Sequence, residues 1–261
     1  MKAFDYTAIV LLCTLILSCT NDDNSPEELT GVGSINIEFD NAYGDSDLLL
    51  ETTSYVASGT ENLKIATLKY IVSNIQLEDE KGNTFTYPKD DSMFIVDESE
   101  KTSQFINLKN VPAANYTKIT FGLGVDQEKY LQGADGQGDF LTLATDAGMM
   151  WSWQAGYKFI RYEGTFTSEN ITDETAFAIH MGSHGSVLDN YKEISLDLPV
   201  SAKVRTDMEP EIHVVADVSD ILVATNTLSL EEKSQIHVDA EKSPKIAENA
   251  SQMFTVDHVH N

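Results

Sequence analysis

The side chains best suited to chemistry fall into three short stretches. Met149-Met150-Trp151-Ser152-Trp153 contains both tryptophans of the 261-residue chain, two positions apart. His180-Met181-Gly182-Ser183-His184 follows, and His258-Val259-His260 stands next to the last residue. Four of the six histidines lie in these two pairs, and Met149, Met150, Met181 and Met253 lie in or near the same stretches. Imidazole and thioether donors together favour copper, Cu(I) above all, over hard cations. In an extended segment, side chains at i and i+2 project the same way, so His258 and His260 can share one metal and Trp151 and Trp153 one face. Each piece also has a plainer reading. A tryptophan pair on a strand commonly fills a core, Met149 and Met150 can fill gaps in it, and His180 can simply be hydrogen-bonded. His213, within Glu211-Ile212-His213-Val214, reads as a strand residue, and a terminal His-x-His reads as a frayed tail.

The elements that must position these residues are strands. Residues 34–39 alternate, with Ile35, Ile37 and Phe39 on one face. Residues 68–77 are β-branched and aromatic, and a turn over 78–83 leads to a return strand at 84–87. Further strands are expected over 93–96, 105–108, 116–122, 157–166, 176–181, 194–204 and 211–218. Many short strands separated by Gly, Asn, Asp or Pro predict an all-β fold, an antiparallel β-sandwich or open barrel. One short C-terminal helix is expected, with Ser243 as its cap, Pro244 in its first turn, and Ile246, Ala247, Ala250, Met253 and Phe254 on one face.

The N-terminus reads as an address. Lys2 precedes an apolar run from Tyr6 to Leu17, which ends at Ser18-Cys19. That run suits a signal peptide and falls short of the roughly 18 residues a membrane span needs. Ile16-Leu17-Ser18-Cys19 resembles a bacterial lipobox, in which the Cys is lipidated after cleavage. The acidic, polar stretch behind it resembles the surface-export signal of Bacteroidetes lipoproteins. The expected organisation is therefore a signal over 1–18, a tether over 19–33 with Cys19 lipidated, and one β domain over 34–261. The protein is expected in the cell envelope, held to the outer membrane by lipid alone. The other cysteine, Cys13, leaves with the signal, so thiolate metal sites of the structural-zinc type are excluded. With 17 Lys+Arg against 42 Asp+Glu, the formal charge is -25, which argues against a nucleic-acid partner.

Gly148-Met149-Met150-Trp151-Ser152-Trp153-Gln154-Ala155-Gly156-Tyr157-Lys158-Phe159, with Glu163-Gly164, resembles the signature of the MbnP-like family of periplasmic copper-binding proteins. Leu68 to Ile75, Val111 to Tyr116, Gly122 to Asp126 and Phe177 to Gly182 fit the same family in order. The resemblance implies a copper cofactor and a neighbouring di-haem enzyme of the cytochrome c peroxidase/MauG type. That partner would oxidise a tryptophan, Trp151 or Trp153, to kynurenine. The resemblance also implies His180 as a ligand. With the residues singled out above, the candidate metal set becomes His180, His258, His260, Met150 and Met181. Kynurenine would add a ketone oxygen and an aniline nitrogen, donors that tryptophan lacks.

Nothing in the sequence favours catalysis by the chain itself. It has no Gly-x-Ser-x-Gly elbow, and no cysteine nucleophile survives maturation. Gly122-Leu123-Gly124 lacks the rest of a dinucleotide turn, and Asp135-Gly136-Gln137-Gly138-Asp139 lacks calcium-loop spacing. A rival reading is a surface lipoprotein that grips a peptide or glycan through an aromatic patch of Trp151, Trp153 and Tyr157.

Overall fold

The computed structural model describes residues 29–185 and 187–261. The expected signal and the Cys19 lipidation site lie outside these residues. In chain order the strands are β1 (Val32–Tyr43), β2 (Ser46–Asp47), β3 (Tyr55–Val56), β4 (Asn62–Asp79), β5 (Thr84–Thr86), β6 (Met93–Asp97), β7 (Phe105–Pro112) and β8 (Ala114–Leu123). Two short helices follow, α1 (Gln127–Tyr130) and α2 (Phe140–Asp146), then β9 (Met150–Ser152), β10 (Gly156–Tyr157), β11 (Ile160–Thr167) and β12 (Thr175–Met181). The remainder is β13 (Lys192–Val204), β14 (Glu211–Asp217), β15 (Gln235–Ile236), α3 (Lys242–Ala250) and β16 (Phe254–His260). No helix among the described residues is long and apolar enough to cross a membrane.

The fold is mostly β, as the strand spacing predicts. A five-stranded sheet has the order β16-β14-β1-β2, with β7 also on β1. A nine-stranded sheet runs β13-β8-β4-β11-β12-β15 and curls into a half-barrel, with β3, β5 and β6 also on β4. Two pairings depart from the antiparallel expectation, since β1 with β14 and β12 with β15 are parallel. These partners are far apart in sequence, so no hairpin forces them antiparallel. The end of the expected tether is also strand, because Val32 and Gly33 pair with Pro112 and Val111.

Alternation explains how the two sheets meet. Ile35, Ile37 and Phe39 are wholly buried on one face of β1, as are Leu63, Ile65 and Leu68 to within 1% on β4. Phe39 of the smaller sheet meets Tyr70 and Phe121 of the larger one edge-on, at 6.2 and 5.4 Å, and Phe254 closes the cluster. Edge-on aromatic pairs add about 0.5–1.5 kcal/mol each beyond burial. The expected C-terminal helix forms and buries Ile246, Ala247 and Ala250, but it begins at Lys242 with Glu241 at the cap position, so Ser243 lies inside the first turn and does not cap it. It stops at Ala250, however, and Phe254 starts β16, so the terminal His-x-His is an edge strand of the smaller sheet.

Candidate metal centre

His180 lies on β12 opposite Arg161 of β11, with Glu163 two residues along β11. Its Nε2 stands 2.6 Å from Glu163 Oε1. Arg161 grips the same carboxylate with both arms, Nε to Oε1 at 2.7 Å and Nη2 to Oε2 at 2.9 Å. On the other side of the ring, β15 runs parallel to β12 and delivers His237 to its end. The two Nδ1 atoms, of His180 and His237, are 2.9 Å apart.

The charge states follow from these contacts. Burial by itself would raise the Glu163 pKa, but the Arg161 and His180 hydrogen bonds outweigh it and hold it at about 2. Burial is also the largest influence on His180 and pushes its pKa down, against the pull of Glu163. A neutral His180 therefore donates Nε2–H to a charged Glu163 and presents the Nδ1 lone pair to His237. A carboxylate behind an imidazole, fixing its tautomer, is the usual support of a metal-binding histidine.

The tryptophans do not form one platform. Trp151 stacks on His184 with ring centroids 4.8 Å apart, whereas Trp153 stacks on Tyr130 at 5.2 Å. Trp153 falls in the turn beyond β9, so strand alternation does not apply to it. Both rings are half-buried, and Tyr157 is wholly buried. The aromatic patch of the rival reading is thus not laid open to solvent. Trp151 covers Gly182, where a Cβ would collide with the Tyr157 carbonyl and lie 3.1 Å from Trp151 Cζ3. Gly182 is two residues past His180, which brings the Trp151 ring to the same end of β12.

The remaining candidates separate. Met181 is fully buried, next to His180 on the strand and therefore turned to the opposite face, into the core. It leaves the donor set for that reason. Met150 is half-buried in β9 against the core, paired with Tyr157. His258 and His260 lie on the other sheet, with Nε2 atoms 2.9 Å apart, and His258 is paired across the strands with His213. The ring partners of His180 are Glu163 and His237, and those of His258 are Asp257, His260 and His213, so the two groups share no residue. His237 and Asp257 carried no signal in sequence, since only tertiary pairing brings them to these rings.

Residues 32–240 match the MbnP family. The chain belongs to that family. A solved structure, MbnP from Methylosinus trichosporium, superposes with a TM-score of 0.50 at 12% identity, covering 88% of this chain and 99% of that one. At that identity the likeness establishes a shared fold. No curated protein matches the chain in sequence. The residues matched to MbnP take in Trp151, Glu163, His180 and His237, and they end before β16.

Proposed function

We propose that this MbnP-family protein binds copper outside the cytoplasm, at a site centred on His180 and His237. The observation that supports it is the Glu163–His180–His237 series, with a carboxylate at 2.6 Å behind one imidazole and a second imidazole at 2.9 Å in front. Two imidazole nitrogens suit copper, and His180 is held neutral, the state a ligand requires. The protein acts as a holder of copper and not as a catalyst. It is anchored at Cys19 by lipid on the outer membrane.

Trp151 is the ring best placed for conversion to kynurenine, because it covers Gly182 beside His180 while Trp153 is stacked on Tyr130. The conversion cleaves the indole C2–C3 double bond, places one water-derived oxygen on each carbon as a carbonyl to give N-formylkynurenine, and releases four electrons and four protons. A di-haem partner passes these electrons to peroxide, which is reduced to water, and hydrolysis then removes C2 as formate. Copper content of the purified full chain, measured for wild type, His180→Ala and His237→Ala, tests the reading. Loss of one equivalent of copper relative to wild type, in both variants and with the fold intact, is expected. Normal copper binding in His180→Ala would make His180 a hydrogen-bonded structural histidine.

A further inference from the structure

The smaller sheet carries a second group of donors, centred on a strand that lies beyond the residues matched to the family. On its outer face, Glu38 of β1, His213 of β14 and His258 of β16 stand side by side in register. Between the pairs His213–His258 and Val214–Val256 the register of β16 shifts by one residue, so Asp257 is the extra residue of a β-bulge. Without the bulge, Asp257 would face away from His258. With it, the carboxylate turns to the side of both imidazoles, 2.7 Å from His258 Nδ1 and 3.7 Å from His213 Nδ1.

We propose that His213, Asp257 and His258 form a separate site for a divalent transition ion of the zinc(II) or copper(II) class. One donor atom from each residue falls within 4.8 Å of the others. His213 Nδ1 is buried and has no hydrogen-bond partner among the described residues. A hydrogen-bonded histidine stack would leave no such atom, whereas a cation between the three groups satisfies it. The backs of both rings are also set for this arrangement. His213 Nε2 faces Glu38 Oε2 and Asp40 Oδ2, each at 3.5 Å, and His258 Nε2 faces His260 Nε2 at 2.9 Å. Asp257 can only accept, so His258 Nδ1–H donates to it at 2.7 Å. Binding of an ion would move that proton to Nε2, toward His260, which leaves both Nδ1 lone pairs for the ion and lets His260 orient His258 without coordinating.

The donor types select the ion. Two imidazole nitrogens and one carboxylate oxygen, with no sulfur, suit zinc(II) and copper(II); calcium and magnesium take oxygen sets, and Cu(I) favours thioether. Three protein donors leave a coordination position for water. Asp257 and His258 are solvent-accessible, so an ion can reach the site, and the net charge of -25 raises the local cation concentration.

The test uses the full chain with both His180 and His237 replaced by Ala, which removes the other histidine pair, titrated calorimetrically with zinc(II) alone. One bound zinc is expected, weakened at least about 10–100-fold by His213→Gln, since even an outer-shell loss costs that much. Asp257→Asn, at an exposed position, gives the same reading should His213→Gln disturb the sheet. Absence of zinc binding in the parent, or affinity unchanged by Asp257→Asn, overturns the proposal. The copper result for His180 is independent of either outcome.

Discussion

Trp151 lies flat against His184, with 28° between the ring planes, and neither Trp151 Nε1 nor His184 Nε2 has a hydrogen-bond partner among the described residues. Burial lowers the pKa of His184, so the stack joins an indole to a neutral imidazole. Trp151→Phe keeps most of this contact and is expected to fold normally. Trp151→Ala loses it at a half-buried position and should cost about 2 kcal/mol, below the range for a core tryptophan. Urea unfolding measures both. Mass spectrometry of the peptide carrying Trp151, after co-expression with a di-haem peroxidase-type partner, checks the modification. A native mass at both tryptophans beside bound copper would end the kynurenine proposal.

Glu163→Gln retains the shape of the carboxylate but not its charge. Arg161 loses its ion-pair partner, and the amide can offer His180 an N–H where an acceptor is needed. Copper affinity should fall about 10–100-fold with little change in secondary structure. Competition against a copper chelator measures it. Unaltered affinity would show that Glu163 serves only to fix Arg161.

Gly182→Ala tests how Trp151 is seated. The added methyl meets a backbone carbonyl, which cannot swing aside as a side-chain tip can. Overpacking of this kind costs roughly 1–3 kcal/mol. In a Trp153→Phe background the only indole is Trp151, so its emission should shift as the ring is displaced. Unchanged stability and emission would mean the segment relaxes freely.

Lys69 and Asp97 form an ion pair at 2.7 Å across β4 and β6, with both side chains largely covered. Burial would raise the Asp97 pKa, but bonds from Lys69 and Ser99 outweigh it and hold it below the ordinary 3.8. The folded state therefore binds this proton less readily than the unfolded chain. The pair's stabilisation is present above the ordinary value and is lost as pH falls through the depressed one. Asp97→Asn should cost about 1–3 kcal/mol at neutral pH. The gap from wild type should narrow below pH 3.8, which thermal unfolding across a pH series would follow.

Cys19→Ser should abolish lipid labelling and move the protein out of the membrane fraction. Retention with labelling intact would overturn the lipobox reading.

Periodicity made much of the architecture legible. The alternation Ile35, Ile37, Phe39 marked β1, and the apolar face of Ile246, Ala247 and Ala250 marked α3. Strand β16 was hidden because Met253 and Phe254 continue the helical spacing by coincidence, while the chain reverses after Ala250. The two short helices α1 and α2 have too few turns to show a period. At the candidate site, His180 was readable but its partner was not. His237 follows a strand of two residues, and only the parallel pairing of β15 with β12 brings it to His180. Asp257 was invisible for a related reason, since a bulge is a mismatch between two strands and neither strand records it alone. Trp151 and Trp153 were placed on one face by a rule that holds only inside a strand, and Trp153 lies past the end of one.

The parallel pairing of β1 with β14 bears on the order of events during folding. Asn36 lies opposite Glu211, so the smaller sheet closes between the first described strand and one near the other end of the chain. Contacts this distant form slowly, because the entropy of closing the intervening loop is spent before they form. During synthesis or export, β1 emerges with its central partner still unmade. The larger sheet, whose β4, β6 and β8 pair locally, can assemble first and serve as the surface on which β1 waits. His213 and His258 meet through β14 and β16 alone, but Glu38 and Asp40 reach the back of the His213 ring only with that late closure, so tight metal capture on the smaller sheet would report completion of the fold.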